Sequence, residues 1–176
     1  LMIPDEDQKT AVHRATASAQ NGDAMKALLE GLRTEDRLKL LMIQDRDQDT
    51  ALHYAAAVAR NREVIKTLLE GLQTEDKLKL LMIPDKGQDT ALHMAADCDH
   101  NCDVIKTLLE RLQIEDKLKL LMMQNKYQNT PLYYAAACAQ NGELIKTLLE
   151  ELQTGKHHCC ITVNFKDFLN VFTNQY

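Results

Sequence analysis

Written in lines of forty, this chain reads nearly the same text four times. Residues 1–40, 41–80, 81–120 and 121–160 each open Leu-Met-(Ile/Met), pass through Gln-x-Thr-(Ala/Pro) and run into Leu-Leu-Glu. The second and third blocks agree at 28 of 40 positions, far more than shared composition produces. A fixed period of this size implies a solenoid, because one unit is too small to bury its apolar face alone and stacked units make one continuous core. Arrays of this kind expose long surfaces, used mostly to hold other macromolecules.

Periodicity inside a block separates helices from connections. In the second block Leu52, Ala55, Ala56 and Ala59 fall at i, i+3, i+4 and i+7, a stripe of small residues that lets a neighbouring helix approach closely. Thr50 is placed to cap this helix, its hydroxyl able to accept a free backbone N–H. In the fourth block Thr130 precedes Pro131, a residue suited to the first helical position. The spacing therefore predicts a helix starting at Thr50, within one residue. A second helix is predicted from Glu63 to Leu72, with Val64, Ile65, Leu68, Leu69 and Leu72 on one side and Lys66, Thr67 and Glu70 on the other. Asn61 marks the turn between them. Gly22 and Gly142, which follow Asn21 and Asn141, are expected to tolerate the left-handed backbone of a helix exit.

The segment from Gln73 to Met82 also reads as helical. Thr74 can cap it, Glu75 and Asp76 suit the positive N-terminal end, and Leu78, Leu81 and Met82 lie at i, i+3 and i+4. A short extra helix is thus expected in each inter-repeat segment.

Thr50-Ala51-Leu52-His53-Tyr54-Ala55-Ala56, Thr90-Ala91-Leu92-His93-Met94-Ala95-Ala96 and Thr130-Pro131-Leu132-Tyr133-Tyr134-Ala135-Ala136 are each followed by (Val/Leu)-Ile-Lys-Thr-Leu-Leu-Glu. Together they resemble the ankyrin repeat, with Thr10-Ala11-Val12-His13-Arg14-Ala15-Thr16 a looser match. The resemblance implies an all-α, ankyrin-type helical solenoid over residues 1–154, divided 1–40, 41–80, 81–120 and 121–154, whose helix-turn-helix units are linked by hairpin fingers. It also implies a protein-binding role. Two departures affect the surface. Gln8, Gln48, Gln88 and Gln128 stand where the family has a turn glycine, and the period is forty rather than about 33. One extra residue falls between the two helices and six fall within the predicted third helix. A three-helix unit of this length also resembles armadillo and HEAT arrays; the Thr-Leu-His motif favours the ankyrin reading.

Comparing the blocks with one another distinguishes packing columns from free ones. Leu28/Leu68/Leu108/Leu148 and Leu29/Leu69/Leu109/Leu149 never change, as expected where each must fit the same neighbour. The most varied columns include Glu6/Arg46/Lys86/Lys126, Asp7/Asp47/Gly87/Tyr127, Lys9/Asp49/Asp89/Asn129, Ala17/Ala57/Asp97/Ala137 and Ser18/Val58/Cys98/Cys138. In proteins that this chain resembles, positions before the Thr and after the Ala-Ala line a concave groove and the finger tips. Arg46, Asp47, Asp49, Lys86, Asp89, Asp97, Lys126, Tyr127 and Asn129 are accordingly candidate partner-binding residues.

Other clusters point away from chemistry. His13, His53 and His93 recur every forty residues, but Tyr133 replaces them in the last block, as a packing position allows and a ligand position does not. The resemblance implies a hydrogen-bonded packing role for this histidine. Cys98, His100 and Cys102 offer three ligands where a structural zinc takes four, and the four consecutive residues His157 to Cys160 cannot readily surround one ion. No nucleophile elbow, Gly-rich phosphate loop or HExxH occurs, so neither catalysis nor a cofactor is expected.

The net charge of −5 divides into −1, −1, −3 and 0 over the four blocks and 0 over the rest. There is no basic stripe to track phosphates, which argues against nucleic acid. No apolar run approaches the roughly 18–20 residues of a membrane span. Five cysteines without framework spacing suggest reduced thiols and an intracellular, most simply cytoplasmic, setting. The chain opens at the start of a unit, leading to the expectation of a monomeric segment of a longer chain. Residues 155–176, where the repeat breaks at Gly155, carry two readings. Phe165, Phe168, Leu169 and Phe172 fall at helical spacing, as a capping helix requires; the strand-suited Ile161-Thr162-Val163 favours a non-native extension. Functionally, the expected protein is a scaffold or adaptor surface. The alternative is a regulatory or structural arm of a larger channel, receptor or effector.

Overall fold

The computed structural model describes residues 3–17, 22–58, 62–98 and 102–137. Among them are ten helices and no strand. The first three blocks each supply three helices: α1 (Ala11–Ala17), α2 (Gly22–Leu29) and α3 (Thr34–Leu41); α4 (Ala51–Ala57), α5 (Arg62–Leu69) and α6 (Thr74–Leu81); α7 (Ala91–Asp97), α8 (Cys102–Leu109) and α9 (Ile114–Leu121). The fourth block opens with α10 (Pro131–Ala137). Like helices stack on like, α1 on α4, α4 on α7 and α7 on α10, with α2, α5 and α8 in a second row. The alanine stripe makes the first row possible, since Ala51, Ala55, Ala56, Ala91, Ala95 and Ala96 are all buried between helices. The predicted second helix of the fourth block, the turn at Asn61, Gly142 and the segment 155–176 lie outside the described residues.

The expected third helix is present three times, as α3, α6 and α9. Its apolar face centres on Leu40/Leu80/Leu120 and Leu41/Leu81/Leu121, all buried, with Leu78 and Met82 at the edge. Its N-cap lies one residue earlier than expected: Gln73 takes that position, in extended backbone, and Thr74 is the first helical residue.

The helix also ties neighbouring repeats together. Lys77 is buried, and its ammonium donates to the Thr107 carbonyl at 3.2 Å and the Glu110 carbonyl at 2.6 Å. Arg37 donates in the same way to the Thr67 carbonyl. These acceptors lie at the C-terminal ends of α8 and α5, where carbonyls lack intrahelical partners and a cation meets the negative end of the helix dipole. Burial pushes the Lys77 ammonium down to about 8.

Two expectations about helix ends are corrected. The second helix stops at Leu69 rather than Leu72, because Gly71 adopts φ 78° and turns the chain. Leu72 still packs on the core, but from the connection, with its N–H on the Leu69 carbonyl. Gly22 is not a left-handed exit residue either, since it begins α2; among the described residues the left-handed glycines are Gly31 and Gly71. The third repeat places Arg111 in that conformation, φ 65°.

Candidate binding surface

Each finger is a short hairpin held by one side chain. In the second finger the Asp45 N–H donates to the Asp49 carbonyl at 2.9 Å and the Gln48 N–H to the Asp45 carbonyl at 3.0 Å. The Asp45 carboxylate accepts the N–H groups of Asp47 and Asp49 at 2.9 and 3.0 Å. Asp5 and Asn125 anchor their fingers in the same way, and Asp85 accepts from Asp89 at 2.8 Å. The turn demands a left-handed residue, and Gln8, Gln48, Gln88 and Gln128 fill it at φ 64°, 65°, 62° and 63°. A side chain there is strained by of order 1–3 kcal/mol, which the family's glycine avoids.

Behind the fingers the recurring histidine joins three elements. Thr50 caps α4, and its N–H donates to His53 Nδ1 at 3.0 Å, so His53 takes the part of the Glu or Gln of a capping box. Nδ1 as acceptor leaves the proton on Nε2, which donates to the Asp89 carbonyl of the next finger at 3.2 Å. His13 does the same with Thr10 and the Asp49 carbonyl, and His93 with Thr90 and the Asn129 carbonyl. The packing role implied by the resemblance is therefore met. All three imidazoles are held below their ordinary range, burial being the main cause. Where Tyr133 replaces the histidine, its N–H donates to the Thr130 hydroxyl at 3.1 Å, a simple cap.

At the tips a ladder runs from finger to finger. The Arg46 N–H donates to the Asp7 carbonyl, the Lys86 N–H to the Asp47 carbonyl and the Lys126 N–H to the Gly87 carbonyl, each at 3.0 Å. Side chains reinforce the first two rungs, Arg46 with Asp7 at 3.6 Å and Lys86 with Asp47 at 3.1 Å. At the third rung Gly87 brings no carboxylate, and the Lys126 ammonium lies 4.9 Å from the centre of the Tyr127 ring. Tyr127 is 67% exposed.

A second row of finger contacts lies closer to the helices. Lys9 meets the enclosed Asp45 carboxylate at 3.8 Å, and the Tyr54 hydroxyl donates to the same carboxylate at 2.7 Å. At the third junction Asn125 donates to Asp89 at 2.7 Å. At the second junction the residues in the corresponding positions are Asp49 and Asp85, and Asp49 Oδ1 is buried without a hydrogen-bond partner. Burial, then repulsion from Asp45, Asp85 and Asp47, pushes the Asp49 carboxyl up to about 6.

The candidate residues thus divide into two sets. Arg46, Asp47, Lys86, Lys126 and Tyr127 lie on the tips, while Asp49 and Asp89 are half-buried at the joints between fingers and Asn129, their counterpart in the fourth finger, is half-buried too. Asp97 is exposed at the end of α7, away from the tips in sequence. Sequence reasoning missed Arg14, Tyr54, Met94 and Tyr134, one turn into the first helix of each repeat. Arg14 pairs with Asp5 at 2.6 Å, Tyr54 holds Asp45, and Tyr134 lies 3.3 Å from the Asn125 amide. Their variation across the blocks was the available signal.

Among the described residues no group of three or more His, Cys, Asp or Glu is arranged to hold a metal ion. Cys98 donates its thiol to the Ala57 carbonyl at 3.2 Å; His100 lies outside the described residues. No described helix is long and apolar enough to cross a membrane.

Helix pairs stacked in register, a capping histidine bonded forward to the next unit and a row of hairpin tips define a helical repeat solenoid. The family model for ankyrin repeats (3 copies) matches residues 2–77 and 73–161, and the chain belongs to the ankyrin-repeat family. Ankyrin repeats are in general protein–protein interaction modules. A search of curated proteins finds no match.

Proposed function

We propose that this array is a non-catalytic scaffold or adaptor surface, and that its protein partner docks on the tip of the fourth finger. What carries the reading is the third rung of the ladder. Arg46 and Lys86 are already engaged by carboxylates of the preceding finger, whereas Lys126 faces Gly87 and lies beside the exposed Tyr127. An aromatic ring with a cation next to it is a composition enriched at protein interfaces. The setting we infer is intracellular and cytoplasmic, the simplest account of five cysteines without framework spacing.

The test is a quantitative pull-down from native lysate with the full chain, beside Lys126→Ala/Tyr127→Ala and beside Arg46→Ala/Lys86→Ala. A partner lost with the first pair and kept with the second, at unchanged circular dichroism, is the expected result. Equal retention by both would move the site off the tips. No captured partner at all would favour an arm that docks within its own parent protein.

A further inference from the structure

We propose that the second finger junction is closed by one proton shared between Asp49 and Asp85, so that this joint, unlike its two neighbours, tightens as the surroundings turn acidic. The residue just before the capping threonine in one repeat meets the finger anchor of the next, 36 positions on, at the first and third junctions, and the same register pairs Asp49 with Asp85 at the second. At the first the pair is Lys9 with Asp45, and the ammonium supplies the hydrogen. At the third it is Asp89 with Asn125, and the amide supplies it at 2.7 Å. At the second both members are carboxylates, so the hydrogen must come from solvent.

The same oxygen marks the gap. Asp89 Oδ1 is the atom that accepts from Asn125, and its counterpart Asp49 Oδ1 is the one buried without a partner. Asp85 has also lost what serves Asp45. The Oδ2 atom of Asp45 meets Lys9 and the Tyr54 hydroxyl; the corresponding residues around Asp85 are Asp49 and Met94, neither of which can donate when Asp49 is ionised. A proton taken from water onto Asp49 Oδ1 makes it a donor to the Asp85 carboxylate, and one negative charge leaves the joint.

Burial disfavours the ionised form of Asp49 most, followed by Asp45 on its own finger, Asp85 on the next finger and Asp47, while Lys9 on the preceding finger favours it and has the smallest influence. Tyr54 on α4 feels the Asp49 charge but spends its hydroxyl on Asp45, and His13 approaches the Asp49 carbonyl rather than its carboxyl. His53 bonds to the Asp89 carbonyl. With its acid raised to about 6, the joint is strongest below the ordinary aspartate range near 4 and loses that strength as pH rises through about 6. Acidification by one or two pH units from neutrality therefore stiffens the middle of the finger row.

The test reads Asp49 directly, by carboxyl-carbon NMR titration of the full chain, wild type beside Asp85→Asn. Asp49 should titrate near 6 in the wild type. In the variant it should titrate below about 4, once the amide introduced at position 85 donates to it as Asn125 does to Asp89. An ordinary midpoint in the wild type overturns the proposal. So does a midpoint near 6 that survives Asp85→Asn, since burial alone would then account for it. Thermal melting gives an independent readout with Asp49→Asn. The variant should melt about 3 °C above the wild type at pH 7.5, as roughly 1 kcal/mol would produce in a chain of this size, and the gap should close by pH 5. A gap equal at both pH values rejects the shared proton.

Discussion

The helix side of each junction is the same three times over, and the finger side is different each time. Behind the fingers, His13, His53 and His93 reach the next unit's carbonyl at 3.2 Å in every case. In front, the pairs change from Lys9–Asp45 to Asp49–Asp85 to Asp89–Asn125, and the tip rungs from Asp7–Arg46 to Asp47–Lys86 to Gly87–Lys126. A buried tie has one geometry that satisfies every polar group, so a duplicated unit keeps it. Tip groups can turn to water instead, and their identities are free to differ.

If this contrast holds, the largest loss comes from the repeated side. His53→Ala strips the buried Thr50 N–H of its acceptor and removes one of two donors from the Asp89 carbonyl, which keeps the Asp85 N–H at 2.9 Å. An unsatisfied buried N–H costs about 1–3 kcal/mol and the cavity left by the imidazole adds to it, so about 3 kcal/mol of stability should disappear in urea denaturation. A loss no larger than that of a tip substitution would break the distinction. The same residue gives a pH signature. Because burial holds the folded imidazole below its ordinary value, the unfolded chain takes up the proton first. Its contribution is complete above about 6.5 and falls as pH drops toward the depressed folded value. His53→Gln keeps an N3 acceptor without titrating. Its stability should decline less than the wild type's between pH 6.5 and 5, measured as the difference between the two chains so that other groups cancel.

A third prediction concerns the turn after the second helix, where two repeats use Gly31 and Gly71 at φ 77° and 78° and the third uses Arg111 at φ 65°. Arg111→Gly should stabilise the array by about 1 kcal/mol, from released left-handed strain less the added chain entropy of glycine. The melting temperature reports it, and a fall would mean that the arginine side chain matters more than its backbone.

Much of the helix side was legible because its signals are local. Thr50 and Pro131 marked helix starts to within one residue, and the extra helix showed in the acidic first turn and leucine spacing of residues 73–82. The second helix was read three residues too long because Leu72 continues the apolar spacing of Leu68 and Leu69 after Gly71 has turned the chain. The finger side was harder for a different reason. Comparing each column with itself marked Asp49, Asp89 and Asn129 as free surface, yet the joints pair one column with another 36 residues on. Lys9 makes sense only beside Asp45, and Asp89 only beside Asn125. Pairing of that kind follows from the stacking distance, which no single block contains.

The smallest predicted effect tests the tip ladder itself. Asp47→Ala removes the carboxylate that meets Lys86 at 3.1 Å but leaves the backbone rung from the Lys86 N–H to the Asp47 carbonyl intact. Both side chains are more than half exposed, 54% for Lys86 and 67% for Asp47. An exposed pair of this kind contributes about 0.2–1 kcal/mol at most and is screened by salt. The variant should therefore lose about 0.5 kcal/mol in dilute buffer, and the difference from wild type should vanish near roughly 0.5 M salt. The second rung would then resemble the third, with a lysine whose neighbouring finger offers only backbone. A partner that binds beside Lys126 should gain a second, weaker foothold at Lys86 in this variant, whereas a loss that persists in high salt would show that Asp47 shapes the finger rather than merely pairing its charge.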